Sequence, residues 1–218
     1  MDRPELKKEL VKPLLETRFI KVADLQYNEL KHYYSVSRKP CGEVPLMSDE
    51  DFKRMISDAV TCIVIVKAPG AGPKLLLTRD FRYPVGQFLL SPPAGLIDAA
   101  DRENGNAVIS AAKREIEEET GLAVKDTDRI FVVNPLCFSS PGMTDESNAL
   151  ACAVVEIEEG FSFSSEHTES TEMIGDYTLY DREEALRIMR QGVDDDGIFY
   201  SVYTFLALMY FVSGLWEE

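Results

Sequence analysis

One acidic stretch, residues 106–121, constrains this chain more than any other part of its sequence. Residues 106–120 have the apolar spacing of an amphipathic helix, and Gly121 stands where a C-cap glycine belongs. Three glutamates at positions i, i+3 and i+4 share one face of that helix: Glu115, Glu118 and Glu119. A narrow apolar stripe for packing against a sheet is formed by Ala111, Ala112 and Ile116.

The three carboxylates on this face repel one another. In water, each like-charged pair of neighbours costs a few tenths of a kcal/mol, and burial makes the cost much larger unless cations neutralise the charge. A hard divalent ion with oxygen ligands, Mg²⁺ or Mn²⁺, supplies that neutralisation. The helix therefore predicts a metal site. The alternative is a solvated helix face, which is the usual role of an acidic run.

The overall charge limits the partners of the chain. Its 218 residues include 38 acidic and 23 basic side chains, for a net charge of −15, and 45% of them are apolar, as in an ordinary soluble globular protein. Binding to nucleic acid requires clusters of Lys and Arg that neutralise phosphates. No such cluster is present, so we expect a small-molecule partner and no nucleic acid.

Cysteine usage and hydropathy predict a cytoplasmic protein that does not enter the membrane. The first twelve residues are charged throughout, which excludes a secretory signal there. Four cysteines lie far apart without a Cys-x-x-Cys pair, as expected of a reduced protein. The apolar run at 198–212 is shorter than the ~20 residues that span a bilayer, and it predicts a buried helix.

Strand and helix patterns along the chain predict the fold class. Residues 18–22 and 32–37 predict two strands ahead of the main domain. Residues 61–66 form the β-branched run typical of a strand covered on both faces. Further strands are predicted at 74–78, 130–133, 149–157 and 177–180, and helices at 182–191 and 197–216. This order predicts an α+β fold, a mixed β-sheet flanked by helices, with a β-strand extension at 1–57 and a main domain at 58–218.

Four short motifs resemble the Nudix box: Gly95-Leu96-Ile97-Asp98, Arg114-Glu115, Glu118-Glu119 and Gly121-Leu122. The second half of the box, from Arg114 to Leu122, matches at every specified position. The segments at 81–84, 93–98 and 140–146 are similar to the ADP-ribose and ADP-sugar pyrophosphatase branch of that family. The resemblance covers residues 58–215 and implies the α/β/α sandwich of Nudix proteins. For residues 1–57 it implies a role in dimerisation or substrate contact.

The resemblance also implies a metal site with two or three Mg²⁺ ions, or Mn²⁺ in their place. The implied metal ligands are the carbonyl of Ala94 and the carboxylates of Glu115, Glu118 and Glu119. Arg114 is expected to orient these carboxylates, with Glu118 acting either as a ligand or as a partner of one. A later glutamate is expected to bind metal or act as general base. The candidates are Glu169, then Glu172, with Glu166 as the remaining alternative.

Substrate contacts are implied at three further positions. Arg82 is expected to bind a phosphate, Gly95 to allow close approach of the backbone, and Glu146 to contact a ribose hydroxyl or a metal. Aromatic side chains that are candidates to stack on an adenine, in one subunit or across a homodimer interface, are Tyr27, Tyr33 and Tyr34.

The first half of the box departs from the family pattern. Gly95 lies 19 residues before Arg114, five more than the box allows, and the extra residues are expected to bulge as a loop at 99–105. The box glutamate that braces the loop against the arginine is replaced by Asn106 when counted back from Arg114. Two alternatives follow: Glu103 substitutes for the missing brace, or Asn106 caps the helix.

The sequence therefore predicts a Mg²⁺-dependent pyrophosphohydrolase that cleaves ADP-ribose or a similar nucleoside diphosphate sugar to a nucleoside monophosphate and a sugar phosphate. One alternative is a different linked nucleoside diphosphate, such as a dinucleotide or a GDP-sugar. The other is a Nudix-fold regulator that binds nucleotide without turnover, and the intact set of Glu115, Glu118 and Glu119 argues against it.

Overall fold

The computed structural model describes residues 3–28, 30–103, 105–164 and 173–218. The chain divides into two compact units. The N-terminal unit comprises Met1–Asp58 and Leu136–Asn148, and the core unit comprises Ala59–Pro135 and Ala149–Glu218. The domain boundary after residue 57 stays a prediction. The sequence pattern predicts that residues 136–148 belong to the main domain, whereas this division places them in the N-terminal unit.

The N-terminal unit contains an antiparallel sheet of three strands in the order β1-β2-β3. The strands are β1 Val11–Glu16, β2 Lys21–Asn28 and β3 Lys31–Ser37, and a short helix α1 spans Asp49–Lys53. The prediction of a strand from residue 18 was wrong, because residues 17–20 form a turn in which the Thr17 hydroxyl accepts from the amide of Ile20 at 2.9 Å. Strand β1 was not predicted. It contains Pro13, which is tolerated at the edge of a sheet.

The core unit is built on a second sheet with the strand order β10-β5-β4-β9-β8, in which β6 pairs with β5 and β7 pairs with β4. Its strands are β4 Ala59–Lys67, β5 Lys74–Arg82, β6 Gln87–Ser91, β7 Ala94–Leu96, β8 Arg129–Phe138, β9 Ser147–Glu156 and β10 Ile174–Tyr180. Each strand predicted for this sheet is confirmed, and each is longer than the predicted segment.

Helices cover both faces of this sheet. They are α2 Ala99–Glu103, α3 Ala107–Thr120, α4 Arg182–Gln191 and α5 Val202–Ser213, with a 3₁₀ turn at Leu215–Glu217. Alternate residues of β4 point to opposite faces. Val60 and Cys62 pack in the cluster that contains Ile116 of α3, whereas Ile63 and Ile65 pack in the cluster that contains residues of α4 and α5. The predicted burial of this strand on both faces is confirmed.

Local hydrogen bonds set the bounds of α3. The side chain of Asn106 accepts from the amide of Ile109 at the N-cap, and Gly121 adopts a left-handed φ of 69° at the C-cap. The predictions of the helix, of its N-cap and of its C-cap glycine are confirmed.

The predicted loop at 99–105 was wrong over its first part, because Ala99–Glu103 forms the helical turn α2. The C-terminal helix is shorter than predicted, because Ser201 provides the N-cap of α5. Within the described ranges, no helix is both long and apolar enough to cross a membrane.

Candidate active site

The inner face of α3 carries buried carboxylates. Glu115 and Glu119 are each only 6% exposed, whereas Glu117 on the outer face is exposed. The apolar residues of α3 pack on β4 and thereby direct these two carboxylates toward β7. Two buried acidic groups on adjacent turns of one helix require positive charge nearby.

The backbone of β7 lies directly against these carboxylates. A Cβ atom added to Gly95 would lie 2.0 Å from the Oε1 atom of Glu115, so only glycine leaves room for that side chain. The amide of Ala94 donates to the Oε1 atom of Glu119 at 3.3 Å. The predicted close approach of the backbone at Gly95 is therefore present, and its partner is Glu115.

Arg114 connects four groups around the site. Its Nη1 donates to Glu115 at 2.7 Å and to Glu118 at 2.9 Å. Its Nη2 donates to the carbonyl of Leu96 at 2.8 Å and to Asp101 at 3.0 Å. Burial acts to lower the pKa of Arg114, but the bonded carboxylates more than offset this effect and raise it. Arg114 is the expected positioning group, with bidentate geometry that a lysine would not reproduce.

Asp101 is the brace that sequence reasoning missed. It is 4% exposed, and its Oδ2 accepts both from Arg114 and from the amide of Asp98, the latter at 2.9 Å. The suggestion that Glu103 takes this role was wrong, since Glu103 is exposed at the end of α2. The signal was present in the sequence. Counted forward from Gly95, rather than back from Arg114, the acidic position of the box falls on Asp101.

The oxygen atoms around α3 suit a hard divalent cation. Two buried carboxylates lie against the β7 backbone, and all of the donors are oxygens of the kind that Mg²⁺ prefers. In the parts of the chain that the structure describes, no three Asp, Glu, His or Cys side chains already form a cation site. The carboxylate of Glu118 accepts from Arg114. By the chemistry of their oxygens and their burial, Glu115 and Glu119 fit the ion.

A cavity of about 170 Å³ opens beside Ala94 and Glu119. Arg82, at the end of β5, lines it together with Asp80 and Tyr83, and the Nη2 of Arg82 lies 2.6 Å from the Oδ2 of Asp80. Burial raises the pKa of Asp80, and the positive charge of Arg82 partly opposes that rise. The structure therefore brings the predicted phosphate ligand to the same cavity as Glu119.

Below α3, the thiol of Cys62 lies within 3.8 Å of the carbonyl of Ala112. Burial raises its pKa well above the ordinary value, and the charges of Glu119 and Glu115 act in the same direction. Cys62 is fully buried, and it packs as a small apolar side chain in the cluster that contains Ile116 of the helix.

Glu146 belongs to the N-terminal unit, where its carboxylate accepts from the Nε of Arg38 at 2.9 Å and from the Ser139 hydroxyl at 3.3 Å. The same unit has a cavity of about 410 Å³ lined in part by Tyr27 and Tyr33. Roles in substrate binding for these three residues, and for Tyr34, stay predictions. The predicted late glutamates Glu166, Glu169 and Glu172 lie outside the described residues.

The NUDIX domain model matches residues 55–185, which contain both halves of the motif around Gly95 and α3. The chain belongs to the Nudix family. Its resemblance to that family, first drawn from the box residues, is thereby confirmed.

This Nudix protein is similar to several curated proteins over part of its length. It is 36% identical over 100 residues to the putative nudix hydrolase 2 of Caenorhabditis elegans, covering 46% of this chain and 41% of that one. It is 35% identical over 101 residues to the ADP-ribose pyrophosphatase of Saccharomyces cerevisiae, covering 46% and 40%. It is 38% identical over 89 residues to the ADP-sugar pyrophosphatase of Mus musculus, covering 41% and 37%. The match thus spans less than half the length of each of these relatives.

Among solved structures, the crystal structure of an ADP compounds hydrolase superposes with a TM-score of 0.59 at 15% sequence identity. The alignment covers 99% of this Nudix protein and 96% of that chain. A likeness at this identity concerns the fold. It confirms the predicted α+β class, a mixed sheet flanked by helices.

Proposed function

We propose that this Nudix protein is a Mg²⁺-dependent hydrolase of ADP-ribose or a similar nucleoside diphosphate sugar. Water cleaves the diphosphate bond, and the products are a nucleoside monophosphate and a sugar phosphate. The observation that carries the proposal is the pair of buried carboxylates, Glu115 and Glu119, packed against the backbone of β7. Buried like charges of this kind are costly in a protein that binds no cation.

The proposed metal ligands are Glu115, Glu119, the Ala94 carbonyl and, as ligand or partner of a ligand, Glu118. Mg²⁺, or Mn²⁺ in its place and in two or three copies, would supply charge neutralisation on the diphosphate and a water of lowered pKa. The remaining chemistry belongs to the chain. Arg114 holds Glu115 and Glu118 by two hydrogen bonds, so the carboxylates keep a fixed orientation.

Arg82 is the proposed phosphate contact, because it lines the cavity that Ala94 and Glu119 also line. A guanidinium donates to two oxygens of one phosphate group at once, a geometry that suits Arg82 to a phosphate of the substrate. The general base or additional ligand is proposed to be Glu169 or Glu172, which precede β10. Replacing each by Gln should lower kcat, and wild-type rates for both variants would exclude that loop.

The substrate is tested with a panel of ADP-ribose, ADP-sugars, GDP-sugars and dinucleotides, incubated with Mg²⁺ and then with excess EDTA. We expect AMP and a sugar phosphate from at least one ADP-sugar, and loss of the products in EDTA. If none of these compounds yields a metal-dependent product, the proposed activity is wrong. Preference for a dinucleotide or a GDP-sugar would keep the chemistry and correct the substrate.

The role of the inner face of α3 is tested by two isosteric changes on the same helix. Glu119→Gln removes a buried carboxylate beside Ala94 and should lower kcat by at least about a hundredfold with the fold intact. Glu117→Gln, the matched control, removes an exposed carboxylate and should leave kcat within about twofold. Equal kcat values for the two variants would remove Glu119 from the proposed metal site.

We also propose a cytoplasmic homodimer. The N-terminal sheet exposes several large apolar side chains, including Leu14, Leu15 and Tyr34, as expected of a surface that another chain covers. All four cysteines are free, which suits a reducing compartment. Light scattering after size-exclusion chromatography would give twice the mass of 24.5 kDa for a dimer, and a mass of one chain would exclude it.

A further inference from the structure

Asp80 lines the same cavity as Arg82 and Glu119, but it has no role in the proposed function described above. Successive residues of a strand point to opposite faces, so Asp80 and Arg82 share one face of β5. Arg79, on the other face, pairs with Asp194 and Asp196 instead. The sequence thus places one acid and one base side by side on the face that forms the cavity.

We propose that Asp80 is a positioning residue that holds the Arg82 guanidinium in the cavity so that it meets the diphosphate in a fixed orientation. The inference rests on the proposed function and concerns how the same site recognises phosphate. Its basis is the ion pair of 2.6 Å between Asp80 Oδ2 and Arg82 Nη2, which engages one end of the guanidinium. A guanidinium has five N–H donors, so the pair with Asp80 leaves further donors for a phosphate oxygen.

The two side chains differ in exposure. The Asp80 side chain is 18% exposed and that of Arg82 is 47% exposed, so the guanidinium is the more accessible group of the pair. An arginine that is already held in place loses less side-chain entropy when a ligand binds.

The effect to be expected is a change in binding rather than in chemistry. Without Asp80, Arg82 must be immobilised when substrate binds, which should raise KM roughly tenfold. The value of kcat should stay within about twofold, because Arg82 would still reach the bound diphosphate. Asp80→Asn keeps the shape of the side chain and a polar oxygen but loses the charge of the ion pair, so it should give an intermediate KM.

A double-mutant cycle tests the proposal with ADP-ribose as substrate and Mg²⁺ present. The variants are Asp80→Ala, Asp80→Asn, Arg82→Ala and the combined Asp80→Ala/Arg82→Ala. If Asp80 acts through Arg82, the change at Asp80 has no further effect on KM once Arg82 is absent. Asp195→Ala is the matched control, since it removes a carboxylate paired with the surface residue Arg187 and alters the net charge equally. It should leave KM unchanged.

The outcomes separate this inference from the proposed function. A fall in KM for Asp80→Ala, no change, or a rise that persists in the Arg82→Ala background would each overturn the positioning role. Should wild-type protein show no turnover, the proposed activity fails, and the same cycle is then measured by calorimetry as the dissociation constant for ADP. If the losses of ADP affinity caused by the Asp80 and Arg82 changes are coupled, the positioning role of Asp80 is supported. Additive losses, or no ADP binding by the wild-type protein, would overturn that role. Thermal unfolding of every variant shows whether a raised KM reflects misfolding. Asp80→Asn serves as the conservative variant in the same comparison.

Discussion

Replacing Asp101 should destabilise the core unit far more than replacing its neighbour Glu103. Both are acidic residues of the short helix α2, and both changes to Ala remove one negative charge. Asp101 is buried and accepts from the Arg114 guanidinium and from the Asp98 amide, whereas Glu103 is exposed. The two variants thus differ in hydrogen bonding and burial while their effect on net charge is the same.

The structure sets the size of the effect. Removing one partner of a buried ion pair costs about 3–5 kcal/mol when the other charge is left alone. Arg114 is not left alone in Asp101→Ala, because Glu115 and Glu118 still accept from it, and its side chain is 30% exposed. The loss is then closer to that of a charge-assisted hydrogen bond plus one backbone bond, about 2–3 kcal/mol. Asp101→Asn should cost about 1–2 kcal/mol, and Glu103→Ala less than about 0.5 kcal/mol.

Urea unfolding measures these differences through the fluorescence of Trp216, the one tryptophan of the chain, which is buried in the core unit. With a slope of about 2 kcal/mol per M, the midpoint of Asp101→Ala should fall by about 1 M. The midpoint of Glu103→Ala should stay within about 0.3 M of wild type. Equal midpoints for the two alanine variants would refute the assignment of Asp101 as the brace of Arg114.

Two further predictions concern the close approach at Gly95 and the reactivity of the cysteines. Gly95→Ala should lower kcat by at least about a hundredfold, because the added Cβ displaces the Glu115 carboxylate, which is buried and accepts from Arg114. Gly72→Ala, where an added Cβ meets nothing within 4 Å, should leave kcat unchanged, and similar rates for both would argue against the close approach. Burial raises the pKa of Cys152 to about 12, so at pH 8 iodoacetamide should label Cys137, which is partly exposed, well before Cys152. Mass spectrometry of the native protein checks the order, and equal labelling would show that the thiol of Cys152 is accessible.

The parts of the fold that could be predicted are those in which one physical effect dominates. The β-branched run of β4 admits few alternatives to a buried strand, and the caps of α3 follow from Asn106 and Gly121 alone. The N-terminal sheet was harder, because β1 is largely exposed and lacks an alternating apolar pattern. Its presence depends on antiparallel pairing with β2 rather than on a pattern within the segment itself.

The part of the site that could be predicted is the part whose positions are determined by helix geometry. The spacing of Glu115 and Glu119 predicted a shared face, and the structure has both buried there. The brace was missed because the motif was counted back from Arg114, and the inserted residues lie between the brace and that arginine. Asp101 is buried, and it accepts from Arg114, which is thirteen positions away. A pairing over that distance is set by the fold of the β7–α3 connection, which propensity alone does not reveal.

The position of the inserted residues explains how the box tolerates them. From Gly95 to Asp101 the chain keeps the spacing of the family motif, and the carboxylate of Asp101 reaches Arg114 directly. The surplus length lies between Asp101 and Asn106, after the brace and before the N-cap of α3. Loop length at such a place adds little free energy, since closure entropy grows only with the logarithm of length. An insertion between Gly95 and Asp101 would instead have changed the spacing between the β7 backbone and the brace, and Arg114 would have lost its hydrogen bond to Asp101.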